Sequence, residues 1–220
     1  MFASLASLIL DAIGLLLRSV ELALPPPLQQ MAPTLAHTRS CRRVSVGTEA
    51  MNATVHMSRL EIVNVRRAQE LDTHMVNRIV AGGLTKYSET NSTEAGTYRR
   101  QDRQGTWLWS PPPGEPNARR LAALERLSAE VQWTTLDDEW ISGHECMAYQ
   151  ALRGNGDDAW TQVLLWIAKD SLRPVEMLAL SLRKGTSFDS ATPPRPRTLS
   201  SQSVTWSDWD DPTLSIPPMW

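Results

Sequence analysis

The apolar residues divide the chain into an apolar amino-terminal segment and a long region of shorter stretches. Residues 1–24 are the most apolar part, and they end at Pro25, Pro26 and Pro27. A helix must stop there, because proline lacks a main-chain N–H and disfavours helical geometry in the residue before it. Apolar positions in this segment recur every three or four residues, as on one helix face. They are Leu5, Leu8, Ile9, Ala12, Leu15, Leu16 and Val20.

Three interpretations of this segment remain open. Asp11, Arg18 and Glu21 interrupt it, so it lacks the roughly 18 apolar residues of a membrane span, and no basic region precedes its first apolar block. It is an eroded export signal, an amphipathic helix that binds a membrane or a partner, or an ordinary packed helix. We therefore predict a separate apolar segment over residues 1–27 and a single domain over residues 28–220.

The region after the prolines predicts one short helix, residues 28–38, followed by β-strands. Apolar and polar residues then alternate with a period of two, which is typical of half-buried strands. Strands are predicted at 41–48, 53–66, 75–80, 86–90, 97–100 and 106–109, with a turn at Gly82-Gly83. A further helix is predicted from 116 to 131, because one face carries Leu121, Leu124, Leu127 and Val131.

The carboxyl-terminal part predicts an antiparallel meander. Its strands are predicted at 140–152 with a break at Gly143, and at 160–168, 174–182 and 202–206, separated by turns rich in Gly, Asn, Asp and Pro. Residues 163–168 are continuously apolar instead of alternating. Both faces of that strand should therefore be covered, one by protein and the other by protein or an apolar ligand.

Charge and composition narrow the function. The chain has 22 Lys and Arg against 24 Asp and Glu and no long basic run, which argues against nucleic-acid binding and against a polybasic membrane patch. It has nine tryptophans, all from Trp107 onwards. Because each tryptophan buries about 150–250 Å², their total exceeds the roughly 300–600 Å² apolar patch that a soluble monomer exposes. Most of them should face a core or a cavity.

No catalytic or metal-binding signature is found in the sequence. His37, His56, His74 and His144 have no metal-ligand spacing, and in His144-Glu145-Cys146 the middle residue points away from the other two on a strand. We interpret Asp208, Asp210 and Asp211 as a polar turn, because the spacing of a calcium loop is missing. We therefore expect no enzyme, no metal and no cofactor.

Cys41 and Cys146 have two interpretations. In an exported protein a disulfide between them would close a loop of about one hundred residues and stabilise the fold by about 4 kcal/mol. In a reducing compartment they would be two small core residues.

Several short stretches resemble the bacterial outer-membrane lipoprotein carrier superfamily, the LolA-like and LolB-like proteins and their actinobacterial lipoprotein relatives. The resemblance covers roughly residues 28–218. It is carried by GTYRR at 96–100 with GTW at 105–107, by VLLWI at 163–167 with RPV at 173–175, and by WSDW at 206–209 with LSIPP at 214–218. Cys41 does not follow a lipobox, so a lipid anchor is not predicted, and the characteristic arginine of the carriers has no matching motif.

The resemblance implies an α+β, mainly β fold: a curved antiparallel sheet, or incomplete half-barrel, with helices covering its concave face and a hydrophobic cavity for acyl chains. It implies an extracytoplasmic, non-enzymatic protein of the cell envelope that binds lipid or lipoprotein acyl chains for transfer or sensing. Its partners would be a lipid or acyl chain and a membrane or envelope protein, with no nucleic acid.

We expect six residues to line the cavity: Trp107, Trp109, Trp133, Leu164, Trp166 and Met177. The alternative is an envelope protein-interaction or sensor module of the same fold, in which side chains fill the cavity. Carbohydrate stacking on exposed tryptophans is disfavoured, because no clustered polar partners are found for a sugar.

Overall fold

The structure is a computed structural model that describes residues 5–18, 24–51, 54–67, 70–93, 95–111, 131–154, 159–184 and 196–217. Two helices precede twelve strands in this part of the chain. The helices are α1 (Leu5–Leu17) and α2 (Pro26–His37). The strands are β1 (Ser40–Met51), β2 (Thr54–Arg67), β3 (Glu70–Ala81), β4 (Leu84–Thr93), β5 (Gly96–Arg100), β6 (Leu108–Ser110), β7 (Gln132–Thr135), β8 (Glu139–Ile141), β9 (His144–Gly154), β10 (Ala159–Ala168), β11 (Pro174–Lys184) and β12 (Pro196–Ser207).

The strands form one antiparallel sheet in the order β6-β5-β4-β3-β2-β1-β12-β11-β10-β9-β7, with β8 also pairing with β9. Strands β1 and β12 come from opposite ends of the domain and lie side by side, with Arg42 opposite Ser207 and Met51 opposite Thr198. The sheet is curved and does not close, and helices cover its concave face. The α+β half-barrel implied by the sequence resemblance is therefore confirmed.

Two hairpins show how the local sequence sets the register. Gly82 and Gly83 both have positive φ, 56° and 78°, in the two-residue connection from β3 to β4. Ser142 and Gly143, at 52° and 86°, connect β8 to β9 in the same way. Two successive positive φ values give the turn whose twist matches that of antiparallel strands. The predicted turn at Gly82-Gly83 and the predicted break at Gly143 are confirmed.

Most predicted elements are present, with differences at their ends. The helix predicted at 28–38 is α2, and every predicted strand overlaps an observed one. Strand β3 begins at Glu70 and β12 at Pro196, both earlier than predicted, because main-chain pairing with β2 and β11 extends through polar residues. Strand β7 was not predicted. The helix predicted from 116 to 131 lies outside the described residues, apart from Val131.

The sheet has two apolar faces. On β10, Val163, Leu165 and Ile167 pack in one core with α1 and α2, on what we call the helix face. Trp166 and Ala168 belong to a second, smaller cluster on the opposite side, which we call the outer face. The expectation that protein covers both faces of this continuously apolar strand is confirmed.

Helix α1 packs into the same core as α2 and the sheet. The three interpretations of the amino-terminal segment remain predictions. The boundary between residues 27 and 28 remains a prediction. Among the described helices, none is long and apolar enough to cross a membrane.

Candidate functional site on the concave face

The apolar floor of the concave face is formed by the centre of the sheet. Alternate residues of β10 and β11 point to the helices, and β12 adds two more side chains. The floor, as we call it, consists of Val163, Leu165, Ile167, Met177, Ala179, Val204 and Trp206, all buried. Because successive residues of a strand point to opposite faces, every second residue of these strands contributes to it.

Helix α1 lies over this floor as an apolar cover. Eight of its described side chains are buried: Ala6, Leu8, Ile9, Ala12, Ile13, Leu15, Leu16 and Leu17. Only a narrow stripe that includes Leu10, Asp11 and Gly14 is half-buried. A helix that is apolar around most of its circumference is stable only inside a core or a membrane. Here the half-barrel supplies the apolar surroundings.

Helix α2 holds α1 against the sheet from the other side. Leu28, Met31 and Leu35 are fully buried in the shared core. The hydroxyl of Tyr149 on β9 donates to Oε1 of Gln30 at 3.1 Å. Helix α2 is thereby bound to the sheet by a polar contact as well as by packing.

Arg66 of β2 binds the ends of both helices. Its Nε donates to the carbonyl oxygen of Thr38, just after α2, at 3.0 Å, and its Nη2 donates to the carbonyl oxygen of Leu17, the last residue of α1. The last carbonyl groups of a helix have no partner inside the helix, so a guanidinium satisfies them well. Arg66 therefore links the carboxyl-terminal end of α1 to the sheet by a hydrogen bond.

Arg43 of β1 is a half-buried cation on the helix face, opposite Trp206 of the floor, and its Nε is buried. Desolvation lowers the pKa of its guanidinium, and the ionised form of Cys41 and the carboxylate of Asp11 oppose that shift. Its Nε has no hydrogen-bond partner among the described residues. A buried guanidinium without full hydrogen bonding is costly. This group therefore favours a negative charge nearby, and α1 supplies one with Asp11.

Two cavities open on the concave face beside α1. One has a volume of about 420 Å³ and lies at the amino-terminal end of α1, where Ala6, Gly47, Ser58 and Ala179 contribute to its wall. The other has a volume of about 580 Å³ and extends over β3 to β5. Ile79 lines both. Their volumes lie within the range of about 300–1,000 Å³ that is usual for small-molecule sites.

The second cavity has a cationic side. Lys86 and Arg99 line it together with Asn77 and Ser88. Asp102 is the carboxylate that lines it, and its Oδ1 accepts a hydrogen bond from the main-chain N–H of Gln104 at 2.9 Å. The open half of the concave face is thus more polar than the floor beneath α1.

The structure does not bring the six predicted cavity residues together. Met177 is fully buried in the floor, and Trp133 packs at the edge of the same core. Leu164 and Trp166 lie in the cluster on the outer face, where Trp166 Nε1 donates to Glu139 Oε2 at 2.9 Å. The physical reason is strand phase, because a shift of one residue turns a side chain to the other face.

Trp107 and Trp109 lie at the β5–β6 edge of the sheet. Arg100 stacks on the ring of Trp107, with its guanidinium carbon 4.7 Å from the ring centroid. Trp109 pairs with Tyr98 and is 57% exposed. Neither residue belongs to the core beneath α1.

The two cysteines are free. Cys41 packs in the core beneath α1, and Cys146 packs in the cluster on the outer face. The disulfide interpretation is therefore wrong for this structure, because the sheet separates the two thiols. Burial raises the pKa of the Cys41 thiol to about 11, although a hydrogen bond from Asn64 opposes the shift.

A buried polar network on the outer face of β3 to β5 was not predicted from the sequence. Glu89 accepts hydrogen bonds from the Tyr87 hydroxyl at 2.8 Å and from Arg100 Nε at 2.7 Å. His74 Nε2 lies 3.6 Å from Glu89 Oε1, and its Nδ1 contacts Asn91 Oδ1. Tyr87, Glu89 and Asn91 alternate along β4, and His74 on β3 and Arg100 on β5 contact them from the neighbouring strands. The network stabilises this edge of the sheet, although Nδ2 of Asn91 has no hydrogen-bond partner among the described residues.

The three aspartates near the carboxyl terminus form a polar turn, as interpreted from the sequence. Asp208 pairs with Arg42 Nε at 2.9 Å, and Asp210 accepts a hydrogen bond from the main-chain N–H of Arg39 at 2.6 Å. Asp211 accepts from Thr213. Their partners are protein groups that attach the terminal segment to β1. Within the described residues, no group of three or more acidic, His or Cys side chains is arranged to hold a metal ion.

Comparisons with solved structures identify proteins whose fold is similar to that of this chain. The chain is similar to the Mycobacterium tuberculosis lipoprotein LppX, with a TM-score of 0.51 and 14% identity over 85% of this chain and 94% of that one. It also matches an outer membrane lipoprotein-sorting protein domain from Vibrio parahaemolyticus, with a TM-score of 0.31 and 12% identity over 86% and 92%. A LolA superfamily protein from Nitrosomonas europaea matches with a TM-score of 0.22 and 10% identity over 99% and 96%.

The similarity to LppX supports the fold implied by the sequence resemblance, a curved antiparallel sheet with helices on its concave face. The other two scores are too low to add to it. No family model matches the chain, and no curated protein is significantly similar to it.

Proposed function

We propose that this protein is a non-enzymatic acyl-chain binder of the bacterial cell envelope, in which a lipid or lipoprotein acyl chain exchanges with α1 on the concave face. The observation that carries this proposal is the position of α1. An apolar helix of 13 residues covers a floor of apolar side chains in a half-barrel. In the present conformation α1 occupies the space that the acyl chain would take.

The exchange is supported by the chemistry of the contacts. The eight buried side chains of α1 contact the floor and α2 through apolar packing, which has no directional preference. An acyl chain offers the floor the same kind of contact, with about 0.8 kcal/mol for each methylene that leaves water. Apolar contacts between the acyl chain and the floor would therefore replace the contacts that are lost when α1 leaves. No new hydrogen bonds would be required.

The cavity at the amino-terminal end of α1 provides the entrance in this proposal. It opens between Ala6 of the helix and Ala179 of the floor, so an apolar molecule in it would already touch both surfaces. Ile79 separates this entrance from the second cavity. The head group would stay in the polar second cavity, beside Lys86 and Arg99. In this proposal Met177 and Trp133 contact the bound ligand, as expected from the sequence.

A location in the cell envelope, with transfer or sensing as the purpose, belongs to the same proposal. It is supported by the fold, which the chain shares with a protein described as a lipoprotein.

A second candidate function is favoured by the same helix. If α1 does not leave, the concave face is filled by side chains, and the protein is an envelope interaction or sensor module. The two functions differ in one observable, the uptake of an apolar ligand.

A fluorescent fatty acid tests the proposal directly. We expect saturable binding of cis-parinaric acid to the full chain, with binding weakened at least about tenfold by Ile79→Trp, which fills the junction of the two cavities. Thr205→Trp is the matched control, because Thr205 is exposed on the outer face; its affinity should equal that of the unmodified chain. Absence of saturable binding to the unmodified chain would reject acyl-chain binding and favour the interaction module.

A further inference from the structure

The outer face of the sheet carries an exposed apolar surface at the end where β1 turns into β2. Nine of the thirteen large hydrophobic side chains that are exposed in the described part of the chain lie there. Six of them are Val46, Val55, Met57, Trp160, Leu180 and Leu199. We call this surface the rim patch. Most of these side chains point away from the helices, and Met57 also lines the cavity at the amino-terminal end of α1.

The strand register makes the rim patch continuous. Trp160 lies opposite Leu182, Leu182 opposite Leu199, and Leu199 opposite Ala50, which itself lies opposite Val55. These directly paired side chains form one apolar row across five strands, since opposed residues on one face have their Cβ atoms about 4.5–5.5 Å apart. Contiguous exposed apolar surface of this kind marks a binding surface for a membrane or a protein.

The charges beside the rim patch are positive. Arg59 on β2 lies directly opposite Arg78 on β3, and both are exposed on the outer face. Like charges in directly opposed positions destabilise a sheet. No carboxylate occurs among the described outer-face residues of the three cross-strand rows that form this end of the sheet. On the strands of the apolar row, the nearest carboxylates are Glu61 on β2 and Glu176 on β11, both in the next row. Glu61 lies 3.6 Å from Arg42.

We propose that the rim patch docks the protein onto the surface of an anionic lipid bilayer. The apolar row would enter the interface between head groups and acyl chains, and Arg59 and Arg78 would face the lipid phosphates. Trp160 suits such a position, because tryptophan is enriched at membrane interfaces. Charge complementarity favours an anionic bilayer as the occupant. A second copy of this chain would add its own Arg59 and Arg78, so that four arginines would lie at the interface. Docking is independent of what the concave face binds.

Vesicle sedimentation tests the docking. The full chain is mixed with vesicles of phosphatidylcholine alone or of phosphatidylcholine and phosphatidylglycerol in equal parts. We expect binding to the anionic vesicles at least about tenfold stronger than to the neutral ones. Val55→Glu and Leu180→Glu should each weaken it about tenfold, and the double variant Arg59→Gln/Arg78→Gln should remove the preference for phosphatidylglycerol. Because all four side chains are exposed, the variants should keep the circular dichroism spectrum of the unmodified chain.

Leu108→Glu is the matched control, since Leu108 is exposed at the β6 edge, away from the rim patch. It should bind vesicles like the unmodified chain. Equal weakening by Leu108→Glu, or no sedimentation of the unmodified chain with anionic vesicles, would overturn the proposal. A dimer in analytical ultracentrifugation that Val55→Glu dissociates would also overturn it, because the patch would then be an interface between two copies.

Discussion

Burial lowers the pKa of Arg43 on β1, and the carboxylate of Asp11 on α1 counteracts that effect across the core. The helix that covers the concave face therefore carries a negative charge that interacts with a buried positive charge on the sheet. Arg66 binds the other end of α1. Most of the described side chains of α1 are buried in apolar packing, which is what an exchangeable cover requires.

The substitution Asp11→Asn tests that interaction. It removes the negative charge near Arg43 and leaves the buried guanidinium less compensated, so the free energy of unfolding should fall by about 1–3 kcal/mol. Urea denaturation followed by circular dichroism measures the change. Asp137→Asn is the control, because Asp137 is exposed, and it should change stability by less than about 0.5 kcal/mol. Equal effects of the two substitutions would show that Asp11 does not act on Arg43.

The phase of β11 is tested by two neighbouring substitutions. Met177 is fully buried in the floor, whereas Leu178 is 39% exposed on the outer face. Met177→Ala should cost about 2–5 kcal/mol through lost burial and a new cavity. Leu178→Ala should cost clearly less, about 0.5–1 kcal/mol. Thermal unfolding of the two variants compares them, and a larger loss from Leu178→Ala would mean that the register of this strand is wrong.

The free cysteines give a prediction about thiol reactivity. The thiolate is the reactive form, and burial raises the pKa of Cys41 to about 11. In the folded protein the alkylation of Cys41 by iodoacetamide should therefore stay slow between pH 7 and about pH 9.5, where an ordinary thiol with a pKa of about 8.5 becomes fully reactive. Peptide mass spectrometry reads the modification at each cysteine. In urea both should react at once, and a species with a Cys41–Cys146 disulfide would contradict the arrangement on opposite faces.

Asp210 gives a prediction about pH. Burial tends to raise the pKa of its carboxyl group, but hydrogen bonds from the Arg39 main chain and the Arg173 guanidinium outweigh it, and the pKa lies below its usual value. A depressed carboxyl pKa stabilises the folded state above the unfolded pKa, about 3.9 for Asp, and this contribution is lost as the pH falls through the folded pKa. Asp210→Asn should be less stable than the unmodified chain at pH 7, and the difference should shrink below about pH 4.

Urea unfolding across that pH range measures the difference for Asp210→Asn. Asparagine tolerates the positive φ of 55° at this position, so the substitution changes the charge and not the backbone. A difference that stays constant between pH 7 and pH 3 would assign the effect to something other than the charge of Asp210.

The sequence predicted the strands and the fold better than it predicted the site. Period-two alternation and turn residues locate β1 to β6 without knowledge of distant contacts. The pairing of β1 with β12 joins residues about 150 positions apart in the sequence, and local pattern holds no information about such a pair. The resemblance to a known superfamily implied a curved antiparallel sheet and did not specify this pair of strands.

The phase of the central strand shows why the site was harder. Residues 163–168 are apolar at every position, so alternation cannot say which of Leu164 and Leu165 faces the helices. The structure places Leu165 in the floor and Leu164 on the outer face. The position of α1 could not be predicted for a similar reason. An apolar helix of this kind is compatible with a membrane, an export signal or a protein core.

Hydrogen exchange of the full chain with and without bound fatty acid tests the exchange of α1 for an acyl chain most directly. At saturation with oleate, the amides of residues 5–17 should exchange at least about tenfold faster, while those of β10 and β11 stay protected. That result would show the helix leaving an intact floor. Unchanged protection of residues 5–17 at saturating oleate, or no oleate binding at all, would contradict the account.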